Sequence, residues 1–159
     1  MAEEGVRLAV EADVPAILDL AAALRAELTP MRGGYVWSVR EARPEPLDEG
    51  YRAMLDRDGT RLVVGTIDGI PVGFGAGEVE VLQDGSRLGV VFELFVDPEA
   101  RAIGVGEAML GSLVEFFADA GCVGVDAFAL PGHRVTKNFF EESGFSARAI
   151  IMYHRFASD

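Results

Sequence analysis

The residues best suited to chemistry lie in one stretch, Phe92 to Gly106, FELFVDPEARAIGVG. An apolar run holds one carboxylate, Glu93, then breaks at Asp97-Pro98 and passes through Arg101, Gly104 and Gly106 into an amphipathic segment. A helix that starts after a glycine turn leaves its first backbone N–H groups unpaired and carries partial positive charge, so such a turn can cradle phosphates without many basic side chains. Glycine at 104 and 106 lets the backbone approach a diphosphate that a Cβ would hold off. The bland alternative is a glycine turn that only caps a helix. A dinucleotide fold would need Gly-x-Gly-x-x-Gly after its first strand, and a P-loop would need Gly-Lys-Ser/Thr; neither pattern is present.

Glu93 is the only charged residue between Leu88 and Val96. A carboxylate in an apolar strand loses solvation, which suits it to act as a base. An ion pair with a neighbouring arginine, or a side chain aimed at solvent, would place the same residue there without chemistry. Glu78 and Glu80 alternate with Val79 and Val81 and share one strand face, either an acceptor wall or a solvated surface. Tyr35 and Trp37 stand two apart in a long connection, as an acceptor lid or as anchors to the core. His133 carries an imidazole that binds a ligand or relays a proton, or else caps a helix or is simply exposed. Tyr153 and His154 point to opposite faces of a strand, so only one of them enters a cleft; Tyr153 offers a hydroxyl, or packs in the core.

Periodicity supplies the elements that must position these groups. Val6, Leu8 and Val10 alternate as a first strand. Asp13 and Pro15 open a helix that runs to Leu28, followed by a loop over residues 29–46 with at most a short helical turn. A second helix spans Leu47 to Arg57. Strands follow at Arg61 to Ile67 and Val72 to Leu82, joined by the hairpin signal Asp68-Gly69, and then at Leu88 to Val96. A helix over Val105 to Ala120 stops at Gly121, a strand covers Val123 to Leu130, a helix covers His133 to Glu142, and a last strand covers Phe145 to Phe156.

Arg101-Ala102-Ile103-Gly104-Val105-Gly106 resembles the pyrophosphate signature of the GCN5-related N-acetyltransferases, in which Arg or Gln is followed by two variable residues, Gly, one variable residue, and Gly or Ala. HRVTKNFFEESGF, residues 133–145, resembles that family's segment near the carboxyl end, but His133 stands where the family has Asn and Phe140 where it has Tyr. That tyrosine commonly protonates the departing thiolate, which a phenylalanine cannot do. The resemblance spans roughly residues 6–156. It implies an α/β fold with a mixed, mostly antiparallel sheet of six to seven strands flanked by helices, strands 4 and 5 splaying apart around acetyl-coenzyme A. It implies pantetheine at the backbone of Phe95 and Val96, pyrophosphate at the amides from Arg101 through Ala102, Ile103, Gly104 and Val105 to Gly106, and His133, Lys137 and Phe140 beside the cosubstrate. Direct transfer of the acetyl group to a primary amine of a small molecule or peptide follows, with Glu93 and Tyr153 as catalytic candidates and no metal. An acyl-coenzyme A-binding module without catalysis is the alternative. The family also forms homodimers, though no motif here requires one.

With 159 residues, half of them hydrophobic, the chain suits one domain. A formal charge of −12, from 26 acidic and 14 basic residues, disfavours nucleic acid and anionic membranes and suits a cationic partner or plain solubility. The acidic start MAEEGVRLAV lacks the pattern of a secretory leader, and a cytoplasmic location is the expectation. One cysteine, Cys122, excludes an intramolecular disulfide and reads as a small buried residue.

Overall fold

The computed structural model describes residues 2–101 and 103–157. Its elements are β1 (Glu4–Leu8), α1 (Val14–Leu28), α2 (Gly34–Arg40), α3 (Leu47–Asp56), β2 (Thr60–Ile67), β3 (Ile70–Val81), β4 (Arg87–Val96), α4 (Val105–Asp119), β5 (Val125–Ala127) and α5 (Arg134–Glu142). The five strands form one sheet in the order β1-β2-β3-β4-β5, antiparallel except for the parallel pair β4–β5. The hairpin between β2 and β3 turns on Asp68 and Gly69, both at positive φ, the geometry that two-residue hairpins prefer.

Each face of the sheet carries a core. On one side α1, α2 and α3 bury Ile17, Leu24, Trp37, Tyr51 and Met54 against Leu62, Val64, Phe74 and Phe95. On the other, Met109, Leu113 and Phe117 of α4 pack on Val63 and Val91. Helix α4 lies close because Gly89 faces it; a Cβ there would run into the Phe117 ring.

A bulge in β4 decides what the site sees. Ala76 pairs with Glu93 and Gly77 with Val91, so Phe92 has no partner residue on β3. Before it, Gly89 and Val91 face α4. After it the alternation is reversed, so Phe95 joins the α1–α3 core while Leu94 and Val96 turn toward α4. Glu93 therefore points to the side of α1 and α3.

Four expectations need correction. Among the described residues the sheet has five strands, not six or seven. Residues 145–156 form no strand, because local β-propensity becomes a strand only when an edge accepts its hydrogen bonds, and among the described residues none does. The expected strand Val123 to Leu130 shrinks to Val125–Ala127, since β4 bends away at its bulge and Leu130 turns into the α1–α3 core. The connection after α1 holds a two-turn helix, α2, which buries Trp37. Among the described residues, no helix is long and apolar enough to cross a membrane.

Candidate functional site

The β4–β5 ladder joins only Gly89–Val91 to Val125–Ala127. Beyond it no ladder joins the two strands, and among the described residues the second half of β4 has no partner on that side. At the end of β4 Asp97 folds the chain by accepting from the Glu99 amide at 2.9 Å, and Ala100 N donates to Asp97 O at 2.8 Å. The Arg101 guanidinium braces the turn. Its Nε donates to the Val96 carbonyl at 2.8 Å, its Nη2 lies 3.0 Å from Glu27 of α1, and its carbon sits 5.2 Å from the Phe95 ring centre. The side chain is thus engaged with the protein, and what the loop offers a ligand is backbone.

Gly104 caps α4 in the left-handed region, at φ 98°, and its carbonyl accepts the first helical bond, from Ala108 at 3.0 Å. Among the described residues, no backbone carbonyl accepts from the amides of Arg101, Ile103, Gly104, Val105 or Gly106. Amides that no described backbone carbonyl engages, at the start of a four-turn helix, could hold an anionic group such as a phosphate. Ala102, assigned to the same cradle from the sequence, lies outside the described residues.

On the opposite side of β4, Glu93 is 8% exposed and both its oxygens are held. Arg43 donates from Nε at 2.9 Å and from Nη2 at 2.7 Å to Oε1, while the fully buried Tyr51 hydroxyl donates to Oε2. The guanidinium carbon stands 4.5 Å from the centre of the Tyr51 ring. Burial, then the Glu93 charge beside it, push the Tyr51 hydroxyl far above the ordinary phenol range, so it remains a donor. Arg25 of α1 fixes the segment that carries Arg43, donating to Ser38 O at 3.2 Å and to Arg43 O at 2.9 Å. A cavity of about 210 Å³ opens here, walled by Trp37, Glu41, Glu78, Phe92 and Glu93.

The family of the chain is decided by its match, over residues 22–145, to the profile of the acetyltransferase (GNAT) family. The chain belongs to that family. A relative, an uncharacterised N-acetyltransferase of Methanocaldococcus jannaschii, is 24% identical over 103 residues, covering 64% of this chain and 46% of that protein, so the chain spans about half the relative's length. A Trypanosoma brucei acetyltransferase superposes with a TM-score of 0.69 at 22% identity, covering 97% of this chain and all of the other. The aminoglycoside N-acetyltransferase AAC(6')-Iy, solved with a coenzyme A bisubstrate analogue, superposes with a TM-score of 0.73 at 16% identity, covering 98% and 99%. At these identities the superpositions establish the fold.

In this GNAT member the other sequence candidates separate. Trp37 and Glu78 line the cavity beside Glu93, whereas Tyr35 is exposed and borders a second hollow between residues 29–36 and the C-terminal segment. Glu80 shares the face of Glu78 but lies beyond the helices, in solvent. Tyr153 needs correction: with no final strand to carry it toward β4, it is 62% exposed and borders the same hollow as Tyr35. His133, at the start of α5, contacts Thr136 Oγ1 through Nδ1 at 2.8 Å and approaches Glu27 at 3.9 Å, next to the Arg101 brace. Lys137 is exposed and pairs with Glu141. Phe140 is buried in the α4-side core against Phe139 and Phe145, so its ring serves packing. Among the described residues no group of three or more His, Cys, Asp or Glu could hold a metal.

Arg25, Arg43 and Tyr51 escape sequence reasoning. An arginine in a proline-rich connection and a tyrosine on a short helix carry no pattern that announces a shared partner 42 to 50 residues away.

Proposed function

We propose that this GNAT protein transfers the acetyl group of acetyl-coenzyme A directly to the primary amine of a small molecule or peptide. The observation that carries the proposal is the set of amides around Gly104 that no described backbone carbonyl engages, just past the end of β4, whose ladder with β5 stops at Val91. The family acts on acetyl-coenzyme A, and the cradle suits its diphosphate in chemistry and position.

The amine nitrogen attacks the thioester carbonyl, whose developing negative charge is met by backbone N–H groups of the second half of β4. Collapse breaks the C–S bond, releases the coenzyme thiolate and leaves an amide. The amine arrives as an ammonium and must lose one proton before attack and another after it. Glu93 assists this deprotonation through Oε2: Oε1 accepts twice from Arg43, but Oε2 accepts only from Tyr51 and keeps one lone pair open to the amine or to an intervening water. Phe140 supplies no acid, and none is required, because a thiol of pKa about 8.5 leaves readily as its anion. The small cavity is lined by Glu41, Glu78 and Glu93 against Arg25 and Arg43, a slight acidic excess that suits a cationic acceptor. The bisubstrate analogue CoA-S-monomethyl-acetylneamine is bound in one structural neighbour, in keeping with an amine acceptor.

The test is thiol release from acetyl-coenzyme A in the presence of polyamines, amino acids, aminoglycosides and short peptides. Amine-dependent release supports the reading. Tight acetyl-coenzyme A binding with no release across the panel would favour a non-catalytic module, and no binding at all would remove the phosphate-cradle assignment itself.

A further inference from the structure

The cavity beside Glu93 holds one charge that no group in the protein answers. Of its three glutamates, Glu93 pairs with Arg43 at 2.7 Å, Glu78 with Arg57 at 3.3 Å and Glu41 with Arg40 at 3.7 Å. Arg25 also lines the cavity, yet among the described residues it has no carboxylate partner; its Nη1 and Nη2 donate to the carbonyls of Ser38 and Arg43. Those bonds use two of the five guanidinium hydrogens and leave three. Nε has no acceptor, and among the described residues no partnerless side-chain nitrogen is buried, so Nε is open to solvent.

Arg40 and Arg57 pair with lining glutamates from outside the cavity, and counting them reverses the slight acidic excess of the lining itself: four arginines meet three glutamates. An acceptor with several positive charges, such as a polyamine or an aminoglycoside, leaves Arg25 unanswered and adds to this surplus. An acceptor with a carboxylate as well as an amine balances it, because a carboxylate accepts from a guanidinium at charge-assisted strength.

The two anchors lie within reach of one small molecule. Arg43 alone spans them: its carbonyl accepts from Arg25 Nη2 at 2.9 Å, and its guanidinium reaches Glu93 Oε1 at 2.7 Å. A molecule of amino-acid length lying alongside Arg43 therefore reaches Arg25 with one end and Glu93 Oε2 with the other. The volume of about 210 Å³ is below the roughly 300 Å³ at which pockets for drug-sized ligands begin, and Leu24, Trp37 and Phe92 supply apolar wall.

We infer that the acceptor is a free amino acid, its amine at Glu93 Oε2 and its carboxylate at Arg25. The inference rests on the acetyl-transfer reading and narrows it. The amine nitrogen forms a bond to the acetyl carbon, and the C–S bond breaks with its electron pair leaving on sulfur. The products are an N-acetyl amino acid, the coenzyme thiolate and the two protons shed by the ammonium.

The test compares thiol release from acetyl-coenzyme A with amino acids and with their amides, which keep the amine and the skeleton but lose the carboxylate. L-Leucine against L-leucinamide places the amine beside the carboxyl group, and δ-aminovalerate against its amide places it at the far end. At least one acid should exceed its amide in kcat/KM by at least roughly tenfold, as for a hydrogen bond to a charged group. The leucine pair is the stringent one, because leucinamide is the weaker base and presents more free amine at neutral pH. Arg25→Met should bring the acid and its amide to within about twofold of each other, whereas loss of the brace on Ser38 and Arg43 alone would slow both alike. If Arg25→Met does not fold, the ratios measured on the unaltered protein decide. Amides or spermidine accepted as well as the acids, or better, overturn the inference and leave amine acetylation standing. A folded Arg25→Met protein that keeps the preference for the acid also overturns it. Release with no amine of any kind removes both readings.

Discussion

Replacing Glu93 by glutamine separates a base from a structural carboxylate. The variant keeps the shape and can still accept from Tyr51, but it loses the charge that faces Arg43 at 2.7 Å. At an effective dielectric of about 20, that attraction is about 6 kcal/mol before desolvation is subtracted. The Arg43 side chain is 18% exposed, so its uncompensated charge regains some water. A stability loss of about 3 kcal/mol is the result, at the lower end of the range for breaking a buried pair. Loss of a general base costs about 10²- to 10⁴-fold in rate. The assay is thiol release at saturating acetyl-coenzyme A and amine, normalised to the folded fraction from urea titration, with Kd for acetyl-coenzyme A measured separately. The expected outcome is a drop in kcat of at least roughly 100-fold, with Kd changed by less than about threefold. Arg43→Met serves as the control: it also breaks the pair and costs about 3 kcal/mol, but it leaves the carboxylate. If Glu93→Gln loses stability while each folded molecule turns over at the unaltered rate, the carboxylate is an ion-pair partner and the base assignment fails.

Gly104→Val should weaken acetyl-coenzyme A at least roughly tenfold by calorimetry, because φ 98° strains a branched residue and the new Cβ would lie 2.6 Å from a Glu4 carboxylate oxygen. An unchanged affinity in a folded variant would contradict the cradle. Phe140→Tyr should lower stability by about 1–3 kcal/mol without raising kcat, since the ring is 8% exposed and packed among Phe139 and Phe145; a tenfold faster enzyme would show that the hydroxyl reaches the leaving thiolate. Asp13 accepts from the Arg7 guanidinium at 2.7 and 2.9 Å, and this bond holds its carboxyl below the usual range despite burial. A depressed folded-state value means the stabilisation is present above about pH 4, the unfolded value, and is lost as pH falls through the folded one. Asp13→Asn should therefore destabilise by about 1–2 kcal/mol at pH 7 and progressively less below pH 4; equal destabilisation by urea at both pH values would refute the ionic origin.

What the sequence determined by itself is local. The Asp68-Gly69 hairpin, the proline stop after Val96, the glycine entry into α4 and the period of α1 and α4 each depend on neighbours a few residues apart, where dihedral preference and hydrophobic period act directly. Glu93 was legible as the one charge in an apolar strand, but its surroundings were not. The unpaired Phe92 turns Glu93 toward α3, and only packing of α1, α2 and α3 on that face brings Arg43 and Tyr51 to it. The C-terminal segment makes the same point in reverse: its strand propensity is plain in the residues, yet a strand forms only where another edge offers hydrogen bonds, and tertiary structure alone decides whether that edge belongs to the same chain.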